Sequence, residues 1–243
     1  MTYCLGIILE SGLLLASDSR SNAGVDQINL VRKLDIFDQA PDRTIAVLSA
    51  GNLATTQAVV AMVRQGIRGA TKKRDVYQAP TMFAVTQMVG GFLREVIGRD
   101  SEHVKAYGDA SASFLVAGQI RGERHRLFEI YAAGNFIEAS ERAPFQQIGE
   151  TKYGKPILDR ALKSNTSLDV SALLALISFD ATIRSNLSVE APIDMLRYEA
   201  DSFSAGNVVT FERDDPYWSE LRARYSDGLM ALIATLPVPP RAG

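Results

Sequence analysis

The first fifty residues alternate between short apolar runs and polar turns, a pattern typical of β-strands joined by tight connections. Residues 3–9 are rich in strand-forming side chains, Ser11 and Gly12 are typical of a turn, and residues 13–17 form a second apolar strand. The polar stretch 21–29 predicts a loop. Further strands are predicted at residues 30–37 and 44–48.

Two long helical stretches follow, and the second has the clearer periodicity. Residues 53–67 are mostly small and apolar, with Asn52 in front of them as a predicted cap. Residues 81–97 place apolar side chains at positions i, i+3, i+7, i+10 and i+14, which lie on one face of a helix. These side chains are Met82, Val85, Val89, Phe92 and Val96.

The rest of the chain repeats this order of strands and then helices. Strands are predicted at residues 111–118, 126–131 and 135–138, helices at 153–162 and 169–183 with Ser167 near the cap of the second, and strands again at 193–198 and 207–211. A last helix is predicted at about residues 216–236, because Asp215 can cap it and Pro216 fits the first helical position. The Pro-rich residues 237–243 are predicted to form an extended tail.

This order of elements predicts an α+β fold of antiparallel sheets covered by layers of helices. Strands do not alternate singly with helices, which argues against a parallel doubly wound sheet. No linker, internal repeat or phosphate-binding glycine loop is found in the sequence. We therefore predict one domain that spans residues 1–243.

The composition is that of an ordinary globular protein and excludes several function classes. Of 243 residues, 47% are hydrophobic and 22% charged, and the net charge of −2 favours neither nucleic acid nor an anionic membrane as a partner. No apolar run approaches the roughly 20 residues of a membrane span, and the N-terminus lacks a signal-peptide pattern. The single cysteine, Cys4, cannot form an intrachain disulfide, which fits a reducing cytoplasm. His103 and His125 lie outside any metal-spaced cluster, so no metal or cofactor is predicted.

The candidate chemistry begins at the second residue of the chain. If the first hairpin turns around Ser11, Thr2 faces Arg20 and Cys4 faces Asp18. All four side chains then lie on one side of the sheet, and Asp18 is a diagonal neighbour of Thr2 at about 7–8 Å. A lysine on a following strand, Lys33, is placed to fill that gap.

Removal of Met1 would give Thr2 a second reactive group. Its free α-amine would have an unperturbed pKa of about 7.7–8.0. A threonine hydroxyl is a weak nucleophile that needs a base nearby, and the terminal amine of the same residue can be that base, directly or through one water. The sequence therefore predicts a nucleophile that works only at a trimmed N-terminus.

Other residues would support this nucleophile. A Lys33 cation would favour the alkoxide of Thr2 and the neutral amine, and Asp18 would pair with Lys33. Gly51 ends a strand, and its N–H could stabilise an oxyanion. Ser188 is a further candidate for the hydroxyl network around the amine.

At this point the chain resembles a proteasome-type β subunit, within the N-terminal-nucleophile hydrolases. The resemblance extends to about Met195. It rests on an ordered set of short motifs: Thr2, Gly6-Ile7, Ala16-Ser17-Asp18-Ser19-Arg20, Gly24, Lys33, Ser49-Ala50-Gly51, residues 112–118 (ASFLVAG) and Ile148-Gly149. Residues 184–189 (RSNLSV) and the long last helix instead resemble the bacterial ancestral-β-subunit branch, called Anbu.

The resemblance implies a four-layer αββα sandwich that assembles into a homo-oligomeric ring or stacked ring and cleaves peptides or unfolded proteins. It implies that Thr2 is the nucleophile, Asp18 and Lys33 are its partners, and Gly51 is the oxyanion donor. Ser21 and Asn22 would border the peptide groove, and Ser49 and Leu53 would shape the first side-chain pocket. The sequence shows no nucleotide site, so any energy-dependent unfolding would need a separate ATPase.

Two positions depart from the proteasome pattern. Glu150 stands where proteasomes have a serine, and Ser185 stands where they have an aspartate. Both positions belong to the outer hydrogen-bond network of the amine, so they bear on how active the site is.

Several alternatives stay open at this stage. The chain could be a ring scaffold without activity, or an N-terminal-nucleophile amidase or transacylase acting on a small amide. Asp18 as a turn cap and Lys33 as a solvated strand residue are the simpler interpretations, and they would hold if the hairpin register were off by one. Ser188 could be an ordinary turn serine, and Cys4 has no histidine placed to make it a nucleophile.

Overall fold

The computed structural model describes residues 2–22, 28–66 and 75–240. Its strands are β1 Tyr3–Leu9, β2 Gly12–Asp18, β3 Arg20–Asn22, β4 Ile28–Leu30, β5 Leu34–Phe37, β6 Arg43–Gly51, β7 Ala112–Ile120, β8 Arg126–Ile130, β9 Phe136–Glu138, β10 Phe145–Gly149, β11 Ile193–Glu199 and β12 Val209–Phe211. Its helices are α1 Leu53–Gln65, α2 Met82–Val104, α3 Lys155–Ala161, α4 Leu168–Ser185 and α5 Pro216–Thr235. Met1 and Gly24, which entered the sequence argument, lie outside the described residues.

Ten of these strands form two antiparallel sheets. One has the strand order β10-β1-β2-β11-β12, the other β5-β6-β7-β8-β9, and β3 pairs with β4 as a separate two-stranded ribbon. Every pairing within them is antiparallel. The predicted α+β class with two antiparallel sheets is confirmed.

Side chains on opposite faces of the strands pack into three separate hydrophobic cores. Along β1, Tyr3, Leu5 and Ile7 pack in a core with α3, α4 and α5, whereas Cys4 belongs to the core between the two sheets. Along β6, Val47 packs in a third core with α1 and α2. Three cores stacked in this way separate four layers, so the predicted αββα sandwich is confirmed.

The register of the first hairpin differs from the prediction by one residue. Cys4 pairs with Ser17, and Leu9 pairs with Gly12, so the turn consists of Glu10 and Ser11 alone. A Cβ on Gly12 would lie 2.0 Å from the carbonyl oxygen of Tyr198, so only glycine lets β11 approach this closely. The predicted pairing of Cys4 with Asp18 is therefore wrong, because a two-residue turn replaces the expected one centred on Ser11.

Three stretches also differ from the predicted elements. Strand β10 is missing from the prediction because Gln146 and Gln147 interrupt its apolar pattern. Buried Gln147 donates a hydrogen bond to the hydroxyl of Tyr3 over 2.6 Å, so this polar residue is part of the packed structure. The predicted loop 21–29 contains parts of β3 and β4, and the predicted strand 30–37 is interrupted at residues 31–33. This interruption places Lys33 between two strands.

The helix caps follow the sequence closely. Side chains of Asn52, Ser167 and Asp215 accept hydrogen bonds from the first turns of α1, α4 and α5. Trp218 anchors the start of α5 in the core, but the second half of this helix is exposed. Among the residues that the structure describes, no helix is both long and apolar enough to cross a lipid bilayer.

Candidate active site

A cavity of about 270 Å³ opens beside Thr2, at the end of β6 and the start of α1. The side of the cavity nearest the chain terminus consists of Thr2, Lys33 and Gly51. The remaining lining residues are Val31, Arg32, Asp35, Ser49, Ala50, Leu53, Thr56, Gln57, Val60, Ala61 and Arg64. The fold thus brings five of the sequence-predicted residues to one pocket: Thr2, Lys33, Ser49, Gly51 and Leu53.

Lys33 and Asp18 form a buried ion pair behind this pocket. The Nζ atom of Lys33 donates to Oδ1 of Asp18 over 2.8 Å and to the carbonyl oxygen of Arg20 over 2.5 Å. The side chains of Lys33 and Asp18 are 6% and 0% exposed. Burial raises the pKa of the Asp18 carboxyl, and the Lys33 ammonium and the N–H of Tyr3 oppose that rise. A buried ion pair does not fit the simpler interpretations of Asp18 as a turn cap and Lys33 as a solvated residue. These were expected if the hairpin register was off by one, but the pair forms in spite of that shift.

The main chain of Thr2 is held from two sides. The N–H of Glu150 donates to the carbonyl oxygen of Thr2 over 2.7 Å, and the following N–H, that of Tyr3, donates to Oδ1 of Asp18 over 2.9 Å. Gly149 has φ +84, and a Cβ there would lie 1.9 Å from the Thr2 carbonyl oxygen. These contacts fix the peptide that follows Thr2, and they require glycine at position 149.

The N–H of Gly51 is directed toward the pocket side of β6. Ser49 donates its N–H to the carbonyl oxygen of Lys33 over 3.1 Å. Since N–H groups two residues apart point to the same edge of a strand, the N–H of Gly51 points to that edge as well. Strand β5 begins at Leu34 opposite Leu48, so it does not extend to Gly51. This geometry leaves the Gly51 N–H available to a ligand in the pocket.

Gly51 itself has no room for a side chain. Its φ is +115, and a Cβ would lie 2.5 Å from the carbonyl oxygen of Ser111 and 2.7 Å from Cα of Ala112. Strand β7 therefore packs directly against the backbone of Gly51.

The remaining predicted site residues lie elsewhere. Ser21 and Asn22 are part of β3, where their backbones pair with Asn29 and Ile28, and their side chains are outside the described part of the structure. Ser188 does not line the pocket. It lies in the turn after α4, where its N–H donates to Oδ1 of Asn186 over 2.9 Å.

Glu150 connects the turn of Ser188 to Thr2 at the start of β1. Besides its N–H bond to Thr2, its buried carboxylate accepts hydrogen bonds from Nδ2 of Asn186 over 2.9 Å and from the N–H of Lys152 over 3.1 Å. The sequence singles out position 150 only as a departure from the proteasome pattern. In the structure, Glu150 bonds to the main chain of Thr2 on one side and to Asn186 on the other. Asn186 in turn accepts the N–H of Ser188, so it links Glu150 to the turn of Ser188.

Cys4 lies behind the site and does not line the pocket. Its thiol is fully buried and is 3.5 Å from the carbonyl oxygen of Ser49. Burial raises the pKa of the thiol well above its ordinary value, although the Lys33 cation opposes this effect. A thiol in this environment is a packing group.

The sequence argument missed the far end of the pocket. Arg64 on α1 pairs there with Asp35 on β5, and Arg32 lies beside them. Burial raises the pKa of the Asp35 carboxyl, and the guanidinium of Arg64 counteracts the rise. A sequence signal for this end of the pocket was present in α1. The residues of α1 that line the pocket recur at helical spacing from Leu53 to Arg64, so they form one face of the helix.

No family model matches the chain, and no curated protein matches it. Solved structures do match it over nearly its whole length. Anbu (ancestral beta-subunit) from Yersinia bercovieri is 44% identical, with a TM-score of 0.91 over 99% of this chain and 100% of that one. The helical assembly of the Anbu complex from Pseudomonas aeruginosa is also 44% identical, with a TM-score of 0.91 over 98% of both chains. Anbu from Hyphomicrobium sp. strain MC1 is 42% identical, with a TM-score of 0.90 over 98% and 100%.

This chain belongs to the Anbu family. Identity above 40% over both full chains confirms the resemblance to the ancestral branch of proteasome-type β subunits. Within the Anbu fold, the candidate site comprises Thr2 with the Lys33–Asp18 pair, and the described pocket extends from Thr2 along α1.

Proposed function

We propose that this Anbu protein is a threonine-type hydrolase that cleaves amide bonds of peptides with Thr2 after removal of Met1. The observation that carries the proposal is Lys33, which lines the same pocket as Thr2 and forms a buried pair with Asp18 behind it. The pocket is large enough for a side chain. Burying two charged side chains costs free energy of folding. A role for the Lys33 cation beside the Thr2 hydroxyl would give a chemical reason for this buried pair.

In the proposed reaction, Oγ1 of Thr2 attacks the carbonyl carbon of the substrate while the α-amine takes the hydroxyl proton. The Lys33 cation stabilises the developing alkoxide, and the Gly51 N–H stabilises the oxyanion of the tetrahedral intermediate. The C–N bond then breaks, and the leaving amine takes the proton from the α-ammonium. An ester to Thr2 remains. The neutral amine next deprotonates a water, whose oxygen attacks the ester carbonyl carbon. The ester C–O bond to Oγ1 breaks, the acid product leaves, and the α-ammonium returns the proton to Oγ1.

We also propose that copies of this chain assemble with one another. A relative, the Anbu complex of Pseudomonas aeruginosa, forms a helical assembly. The second half of α5 supports self-association here, because its apolar side chains are between 44% and 67% exposed. They are Leu229, Met230, Leu232, Ile233 and Leu236.

Light scattering after size-exclusion chromatography tests the assembly. Met230→Glu combined with Ile233→Glu should reduce the mass of the particle, whereas Tyr107→Glu, at an exposed aromatic residue of another region, should not. An unchanged mass of the α5 variant would remove this helix from the interface. A cytoplasmic location and a separate ATPase partner remain predictions from the sequence.

A peptide-epoxyketone probe tests the hydrolase, because the adduct needs both the hydroxyl and the free amine of one residue. Wild type should lose Met1 and gain the probe mass on Thr2, and Thr2→Ala should gain nothing. A scaffold without activity would keep Met1 or remain unlabelled. A small-amide amidase would lose Met1, hydrolyse a small amide through Thr2 and leave peptides intact.

A further inference from the structure

One face of α1 forms a continuous wall of the pocket beside Thr2. Its residues recur at positions i, i+3, i+4, i+7, i+8 and i+11, which is a single stripe along a helix. They are Leu53, Thr56, Gln57, Val60, Ala61 and Arg64. At 1.5 Å per residue, the stripe is about 16 Å long. The pocket therefore extends from the nucleophile to Arg64 at the far end.

The charges of this pocket are unequal. Three cations line it, Arg32, Lys33 and Arg64, against one carboxylate, that of Asp35. Lys33 is neutralised by Asp18 behind the wall, and Asp35 is neutralised by Arg64. Arg32 has two carboxylates near it: its Nε lies 3.9 Å from Oδ2 of Asp194, and its charge also opposes the raised pKa of Asp35. Asp18 and Asp194 do not line the pocket, so the wall that faces a ligand holds more cations than carboxylates.

The two arginines also have unused hydrogen-bond donors. The side chains of Arg64 and Arg32 are 61% and 63% exposed, whereas that of Asp35 is 9% exposed. A guanidinium has five N–H donors, and Arg64 uses one of them on Asp35 in the described structure. The carboxylate is thus enclosed and already paired, while both cations can still bind another acceptor.

We propose that this pocket selects an acidic side chain, that of Asp or Glu, on the residue whose carbonyl Thr2 attacks. The inference rests on the proposed hydrolase function and names its substrate class. An acidic side chain can bind Arg64 and Arg32 without breaking the pair of Arg64 with Asp35, because both guanidiniums keep exposed donors. A basic side chain would have to displace Arg64 from Asp35 and would add a cation to a wall that already holds three. Val31, Leu53 and Val60 supply apolar wall for the methylene groups.

The test uses four epoxyketone peptides that differ only in the residue next to the reactive group: Glu, Gln, Lys or Leu. The rate of Thr2 labelling should be at least tenfold higher for Glu than for the isosteric Gln, and higher for Glu than for Lys. Because the contacts are partly exposed, the ratio of Glu to Gln should fall as salt rises. Equal rates, or faster labelling by Gln, Lys or Leu, would overturn the acidic preference and leave the hydrolase proposal standing. No labelling by any of the four would overturn both.

Two variants should change the ratio in opposite directions. Arg64→Gln removes a cation and should lower the ratio of Glu to Gln severalfold, whereas Asp35→Asn releases the Arg64 guanidinium and should raise it. The matched control is Arg99→Gln, since Arg99 is 64% exposed, pairs with Asp100 and lies on α2 outside the pocket. A ratio that moves the same way in both pocket variants, or that moves equally in the control, would contradict the proposal.

Discussion

The ammonium of Lys33 lies 2.8 Å from Oδ1 of Asp18, and both side chains are almost fully shielded from water. Asp18 also accepts a hydrogen bond from the N–H of Tyr3, so the same carboxylate contacts both the lysine and the first residue of β1. Asp18 does not line the pocket itself and lies behind Lys33.

Lys33→Met should destabilise the protein strongly, because it leaves the Asp18 carboxylate buried without its cation. The expected loss in the free energy of unfolding is about 3–5 kcal/mol, measured by urea denaturation. Adding Asp18→Asn removes the unpaired charge, and the oxygen of the introduced amide can still accept the N–H of Tyr3. The double variant should therefore be more stable than Lys33→Met alone, although neither should label at Thr2.

The exposed pair of Lys155 and Asp159 is the control for this prediction. Lys155→Met should cost less than about 1 kcal/mol. If the double variant lost as much as the sum of its single changes, Lys33 and Asp18 would not be coupled as the structure shows.

Gly51→Ala should lower both stability and labelling, because an alanine there takes a strained φ and meets the carbonyl oxygen of Ser111. Gly98→Ala is the matched control, since Gly98 lies inside α2 and an added Cβ meets nothing within 4 Å. This control should be neutral or more stable by about 0.4–1 kcal/mol. Thermal unfolding compares the two variants. A Gly51→Ala protein as stable and as reactive as wild type would contradict the close packing of Ser111 and Ala112 against Gly51.

Glu150→Ala should slow the labelling of Thr2 about tenfold, because Asn186 and the N–H of Lys152 lose their acceptor. Glu150→Gln keeps one carbonyl oxygen and should restore most of the rate, with the maximal rate affected more than the half-saturating probe concentration. Glu212→Ala, at an exposed glutamate, should behave as wild type. If Gln were as damaging as Ala, both carboxylate oxygens would be needed as acceptors, since the amide nitrogen of glutamine cannot accept a hydrogen bond from Asn186 or Lys152.

Cys4 should make the protein less stable at alkaline pH. Burial raises the pKa of its thiol, so above about pH 8.5 the unfolded chain releases a proton that the folded chain retains. Fewer protons bound to the unfolded state means that the free energy of unfolding falls as pH rises, by about 1.4 kcal/mol per pH unit for one group. The stability advantage of wild type over Cys4→Ala should shrink by about this amount between pH 9.5 and pH 10.5. A constant difference would mean that the thiol ionises in the folded protein.

The sequence predicted the layers well because each strand and helix carries its own periodicity. The alternation along β1 and β6 separates outer cores from the inner one, and the caps at Asn52, Ser167 and Asp215 mark helix starts. Local pattern decides these features. It does not decide the register of a hairpin, which depends on whether the turn has two residues or three.

The missed features depend on contacts between distant segments. Strand β10 is polar in sequence because Gln147 bonds to Tyr3, and the role of Glu150 depends on Thr2 and Asn186. The charged end of the pocket unites Asp35 and Arg64 from different layers. The pairing of Lys33 with Asp18 was predicted from the first hairpin and a lysine on a following strand, and the structure contains this pair although the hairpin register was one residue out.

Intact-mass and peptide mass spectrometry of the purified protein, with and without a peptide-epoxyketone that carries Glu next to the reactive group, tests the central claim most directly. The account predicts a chain that begins at Thr2 and a single adduct on Thr2, absent in Thr2→Ala and in Lys33→Met. A chain that keeps Met1, or a trimmed chain that stays unlabelled at saturating probe, would contradict it.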